Sequence, residues 1–198
     1  MTSGSGPAEL LGALSAALVG VGCRWYLFGA QAVIIWGRPR LTTDVDVTVE
    51  IASGATEEFV SALASAGFHL TEEFSGEFVR STRVLPFSHI STGMPLDVVL
   101  AGPGLEEQFL ERAHLIDVAG VPVPVISPED LVVTKTLAGR AKDLEDIRGI
   151  VQARAASLDL EYVRRTLALL EEALGQSDLT PTFEAELRRA NRRTPPSD

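Results

Sequence analysis

The stretch that decides the fold is Thr43-Asp44-Val45-Asp46-Val47-Thr48-Val49-Glu50-Ile51. Polar and apolar residues alternate along it, the period of a strand with one face in the core. Val45, Val47 and Val49 share one face and are expected to be buried. Asp44 and Asp46 share the other, so their carboxylates project the same way. Like charges this close repel, and a cation or a proton between them relieves the repulsion. Hard divalent ions suit such oxygen ligands, typically held by one or two carboxylates together with substrate phosphates.

Just upstream, Trp25 to Phe28 reads as a short buried strand ended by Gly29, and Ala30 to Trp36 as a helix broken by Gly37-Arg38-Pro39. A helix opening of this kind offers free backbone N–H groups to phosphate. Before it, Leu10, Leu11, Leu14, Leu18 and Val21 recur at helical spacing, which predicts a helix over Pro7–Val21. Downstream the pattern predicts a helix over Thr56–Ala66, strands over Phe68–Leu70, Phe78–Leu85 and Leu96–Leu100, and a helix over Leu105–Ala113. Val121 to Ile126 reads as an edge strand, because Pro122 and Pro124 remove ladder donors. Asp97 interrupts the apolar run Pro95-Leu96-Asp97-Val98-Val99-Leu100. A lone charge there is costly to bury without a partner, and a metal shared with Asp44 and Asp46 would be one.

Ser127-Pro128-Glu129-Asp130 is a helix start, with Ser at the cap, Pro in the first turn and acids after it. That helix is expected to end at Gly139. Further helices are expected over Lys142–Arg154, Leu160–Leu174 (stopped by Gly175) and Pro181–Arg192, with a frayed tail from Arg193. The order is α+β, a sheet flanked by helices with a helical C-terminal part. Residues 1–126 are expected to form a sheet-bearing core and residues 127–198 a helical part packed on it as one structural unit.

Composition narrows the function. Of 198 residues, 45% are hydrophobic and 22% charged, which fits a globular chain rather than a disordered one. The net charge of −10 argues against broad, non-specific nucleic-acid binding, though it leaves room for a local basic groove. Arg188, Arg189, Arg192 and Arg193 form a basic end that reads either as a solvated helix face or as a contact to RNA or an acidic partner. The single cysteine, Cys23, excludes an internal disulfide and a cysteine-rich zinc site, and is expected in the core. His69, His89 and His114 lack metal-ligand spacing and read as packed or surface side chains. The N-terminus has no positively charged region of the signal-peptide kind, and no apolar run is long enough for a bilayer. A cytoplasmic protein without a membrane partner is the expectation.

Taken in order, Phe28-Gly29-Ala30-Gln31, then Thr43-Asp44-Val45-Asp46, then Leu96-Asp97-Val98-Val99 resemble the minimal members of the polymerase-beta nucleotidyltransferase superfamily. Lys135, followed by Arg140-Ala141-Lys142-Asp143-Leu144-Glu145-Asp146, looks like the corresponding segment of the abortive-infection toxin type. The resemblance covers roughly residues 24–150. Where that family usually carries a second Gly or a Ser, this chain has Ala30, which is small and keeps its N–H.

The resemblance implies a nucleotidyltransferase-like mixed sheet and an enzyme that moves a nucleoside monophosphate from an NTP to an acceptor hydroxyl, releasing pyrophosphate. Asp44, Asp46 and Asp97 would be catalytic and hold Mg²⁺ or Mn²⁺, with Asp97 also helping to deprotonate the acceptor. Gly29, Ala30, Gln31, Arg40, Lys135 and Arg140 would contact the nucleotide. Arg140, Lys142, Asp143 and Asp146 would form a supporting polar network. The acceptor would be a tRNA end, a small-molecule hydroxyl or a protein side chain. The alternative is a non-catalytic nucleotide-binding module on the same fold, or half of a toxin–antitoxin pair with an antitoxin protein as partner.

Overall fold

Strand β1 (Trp25–Phe28) runs straight into helix α2 (Gly29–Trp36), and β2 (Val45–Val49) returns antiparallel beside β1. The structure is a computed structural model that describes residues 5–71 and 81–192, with the side chain of Ser5 excepted. The remaining elements are α1 (Ser5–Gly20), α3 (Thr56–Ser65), β3 (Phe68–Leu70), β4 (Val84–His89), β5 (Pro95–Leu100), α4 (Leu105–Arg112), β6 (His114–Val118), β7 (Val121–Val125), α5 (Pro128–Ala138), α6 (Ala141–Arg154), α7 (Leu160–Leu174) and α8 (Leu179–Arg192). The chain divides into two compact units, residues 1–31 with 41–126, and residues 32–40 with 127–198. The division falls inside α2, after Gln31.

The first unit carries a seven-stranded mixed sheet in the order β3-β4-β5-β2-β1-β7-β6. Strand β2 is central, antiparallel to β1 and parallel to β5. Val45, Val47 and Val49 are completely buried, as their alternation predicts. The opposite face is covered toward the end of β2. There Thr48 is buried and pairs with Tyr26, whose ring meets Phe109 of α4 edge-on at 6.5 Å. Toward the start of β2 the same face carries Asp46. Helix α1 buries Leu10, Leu11, Leu14 and Leu18 on one stripe, and its Gly12 lies close against Val121 of β7.

Three strand expectations need correction. Strand β7 is not an edge, since β6 lies outside it and was not foreseen. Prolines spaced by two lose donors on one side of the strand only, so the other side can still carry a ladder. The β7 register runs the full length of β6, whereas toward β1 it is the single rung Leu27↔Val125, with Ile126 N–H donating to Leu27 O at 2.9 Å. Strand β4 begins at Val84 and continues to His89, through Pro86. The expected strand over Phe78–Leu85 thus lies partly outside the described residues. Strand β2 is shorter than its alternation, and Asp44 stands just before it.

The second unit is helical. Helix α5 starts as its sequence predicts: Ser127 Oγ accepts the Asp130 N–H at 3.1 Å and donates to Asp130 Oδ2 at 2.6 Å. Tyr162 of α7 donates to Asp130 Oδ1 at 2.6 Å, so this buried carboxylate is satisfied from two helices. Gly139 ends α5 at φ +63°, its N–H donating to Lys135 O. The last carbonyls of α2 are capped by Arg154, whose guanidinium donates to Trp36 O at 3.2 Å and Ile35 O at 3.3 Å and lies over the Trp36 ring. Leu131, Ile147, Ile150, Val163, Leu167 and Phe183 fill the core of the bundle. The tail from Arg193 lies outside the described residues. No helix among the described residues is long and apolar enough to cross a membrane.

Candidate functional site

In the first unit, the predicted residues meet at one end of the three central strands. Phe28, the last residue of β1, pairs with Asp46, and Asp46 pairs with Asp97 across the parallel β2–β5 ladder. Paired residues of neighbouring strands point to the same face, so Asp46 and Asp97 stand side by side. Gly29 follows Phe28 at φ +62°, a left-handed conformation that turns the chain from strand to helix. A Cβ built on Gly29 would sit 1.9 Å from Asp46 Oδ2, so the carboxylate occupies the space any larger residue would need. Ala30 is buried, and Gln31 donates its side-chain amide to the main-chain carbonyl of Asp44 at 3.5 Å.

Asp44 is positioned by a residue the sequence reading missed. The Thr42 hydroxyl donates a short hydrogen bond to Asp44 Oδ1. Its signal in the sequence was its place two residues before Asp44, in step with the Asp44–Asp46 alternation. The Asp97 carboxyl is raised above its ordinary value, chiefly by burial and further by the negative charge of Asp44. The electrostatics therefore couple Asp44 to Asp97 while the ladder couples Asp46 to Asp97.

Among the described residues no three Asp, Glu, His or Cys side chains converge as a ready-made metal site. The donor set still fits a divalent ion of the Mg²⁺ kind, which is commonly held by one or two carboxylates with substrate phosphates completing its shell. The repulsion between Asp44 and Asp97 favours a cation there.

The remaining predicted residues lie in the second unit and make their own network. Lys135 is buried, its Nζ 2.9 Å from Asp143 Oδ1 and 2.8 Å from Asp146 Oδ2. Arg140 Nε lies 2.5 Å from Asp143 Oδ2, and Arg40 Nε lies 3.3 Å from Asp146 Oδ1. That Arg40 nitrogen is buried without a hydrogen-bond partner. Burial alone would raise the Asp143 carboxyl, but hydrogen bonds from Arg140 and Lys135, with their charges, hold it below its ordinary value. Lys142 is exposed and does not take the i, i+4 place beside Asp146, which Lys135 and Arg40 fill instead.

The histidines are as expected. His69 and His114 are exposed, and His89 is buried against Phe68 with its Nδ1 2.9 Å from Thr92 Oγ1. Cys23 is only half-buried rather than in the core, and burial, with Glu50 adding to it, pushes its thiol up.

A helix opened by a left-handed glycine, folded against a central strand whose Asp46 stands beside Asp97 of the next strand, gives this sheet the character of the nucleotidyltransferase fold. Solved structures share that fold. The solution structure of the antibiotic-resistance factor ANT(2″)-Ia matches with a TM-score of 0.58 at 15% identity, over 87% of this chain and 96% of that one. An antigenic nucleotidyltransferase-like protein from Paracoccidioides brasiliensis matches with a TM-score of 0.55 at 17% identity, over 89% of this chain and 91% of that one. At such identities the likeness is one of fold. No curated protein matches the chain in sequence. The chain belongs to the family described as nucleotidyltransferase of unknown function (DUF6036), which residues 22–179 match.

Proposed function

We propose that the chain transfers a nucleoside monophosphate from an NTP to an acceptor hydroxyl, with Asp44, Asp46 and Asp97 holding Mg²⁺ or Mn²⁺. The observation that carries this reading is Asp46 set beside Asp97 on adjacent strands, with its carboxylate lying over the bare Cα of Gly29. The family supports the reaction class. When bound, the metal ions supply positive charge against the triphosphate and the departing pyrophosphate.

The chain's own residues do the rest. Gly29 brings the backbone close to the phosphates, and the N–H groups that open α2, from Ala30 and Gln31 onward, hold them. Thr42 fixes the rotamer of Asp44. The acceptor oxygen attacks the α-phosphorus, the bond from that phosphorus to the bridging oxygen of the β-phosphate breaks, and pyrophosphate leaves. The acceptor proton passes to the Asp97 carboxylate. Lys135 is assigned a holding role in its own unit, between Asp143 and Asp146, rather than a triphosphate contact.

The test is thermal stability with each of the four NTPs, with and without Mg²⁺. A saturating ligand at a hundredfold excess over Kd stabilises by about 2.7 kcal/mol. Stabilisation that needs both metal and NTP, and is abolished by D46A, supports the reading. Absence of any shift at millimolar ligand and metal overturns it in favour of a non-catalytic member of the fold, and moves attention to protein partners such as an antitoxin.

A further inference from the structure

The chain carries a net charge of −10, yet five of its arginines line two adjoining clefts in the second unit. Arg38 and Arg40, from the segment after α2, line a cleft of about 310 Å³ with Arg148 of α6. Arg148 and its neighbour Glu145 also line a second cleft of about 330 Å³, with Arg189 and Arg192 of α8. The two clefts meet at these shared residues, and the groove they make together is lined by five arginines. Arg189 and Arg192, from the basic end of the chain, are thus one bank of a groove whose other bank is far away in sequence.

The groove holds both bound and spare cations. Arg148 and Arg189 both reach Glu186, which is buried beneath them, and Arg40 pairs with Asp146. Arg38 donates to the neutral Gln152, at 2.6 Å. Arg192 is exposed on the far bank, and among the described residues neither Arg38 nor Arg192 has an ion-pair partner. Carboxylates underneath fix the inner guanidiniums in place, and the outer two keep their charge uncompensated. Planar, forked guanidiniums suit phosphate oxygens better than any other anion except carboxylate.

The lining also says what the groove does not take. Among the described residues it includes no aromatic side chain, so it offers neither the anchors of a protein interface nor a platform for stacked bases. We infer that this groove binds the phosphodiester backbone of a nucleic-acid strand, without reading its bases. The inference does not rest on nucleotidyl transfer, because it needs neither NTP nor metal.

Fluorescence anisotropy of the full chain, without NTP or Mg²⁺, tests it, using labelled single strands of RNA and of DNA with the same sequence. Binding should fall as salt rises, with a slope of about −0.7 in log K against log salt for each phosphate engaged. R38A/R192A should weaken binding and make that slope shallower by about 1.4, two phosphates' worth. R38K/R192K should retain most of the salt dependence, and R24A, on the other unit, should change nothing. Equal binding of RNA and DNA supports backbone recognition alone, and preference for RNA supports it with the 2′-hydroxyl as a further contact. Failure to bind either strand at low salt overturns the inference. So does an unchanged slope in R38A/R192A, or displacement of RNA by poly-glutamate as effectively as by unlabelled RNA, which would make the groove a site for acidic protein.

Discussion

The carboxylate of Asp46 lies directly over the Cα of Gly29, so close that a single added methyl would meet Asp46 Oδ2 at 1.9 Å. In the proposed site one residue would supply a ligand for metal, and the other makes the turn that would bring phosphate-binding backbone to it. Gly29 cannot gain a side chain without displacing Asp46.

Gly29→Ala is therefore expected to fail twice. At φ +62° an L-residue is disfavoured by about 1–2 kcal/mol, and the new methyl must push Asp46 off its position. Urea melts measure the first effect, and the loss of NTP-dependent stabilisation measures the second. A variant that melts and binds NTP like the wild type would mean that Asp46 swings aside at no cost.

Asp97→Asn is expected to stabilise the protein in chelator at neutral pH. The folded state raises the Asp97 carboxyl, through burial and then Asp44, so its charged form is a burden on the fold. That burden is present above the raised value and is lifted as pH falls through it. The gain in Tm for D97N should accordingly shrink as the medium becomes more acid. A gain that grows with acidity would contradict this assignment. With Mg²⁺ and NTP the order should reverse, because the wild type alone keeps the ligand.

Lys135→Met should be among the most damaging changes in the second unit. It leaves Asp143 and Asp146 buried without the ammonium between them, and stranding buried charge in this way costs about 3–5 kcal/mol. The Asp143 carboxyl is held low, so the stability it contributes is complete above its ordinary value of 3.8 and lost as pH falls through its lower folded value. D143N should be less stable than the wild type at neutral pH and should lose part of the acid unfolding limb, which a pH series of melts would resolve.

Ser127→Ala should cost about 1–2 kcal/mol. It removes the acceptor for the Asp130 N–H and a donor to the Asp130 carboxylate, both in a fully buried setting. Tyr162→Phe strips a second donor from the same carboxylate, so the double variant should lose more than the sum of the single ones in a double-mutant cycle.

Much of this was legible in the sequence because its signals are local. The alternation of 43–51 predicts which valines are buried, and the Ser127-Pro128 start and the Gly139 and Gly175 stops mark their helices to within a residue or so. What escaped depends on partners far along the chain. Strand β6 has exposed His114 and Leu115 and no clean alternation, so only its pairing with β7 reveals it. Asp97 reads as sharing a metal with Asp44 and Asp46, but its place directly beside Asp46 depends on the parallel β2–β5 register. Lys135 reads as a nucleotide contact, because nothing in a sequence shows that Asp143 and Asp146 turn back onto it. Of the arginine groove only the basic end was legible, since nothing local places Arg38, Arg40 and Arg148 beside it.

The central place of β2 has a consequence for how the protein breathes. Its backbone is laced to β1 on one side and β5 on the other, so its amides should be among the last to exchange in deuterated solvent. Asp46 rides on that slowest-opening stretch, while Asp44 rides on the loop before it, with the Thr42 hydroxyl on its carboxylate. One ligand would then stay put through every local opening short of global unfolding, and its neighbour two residues away would come and go with the loop.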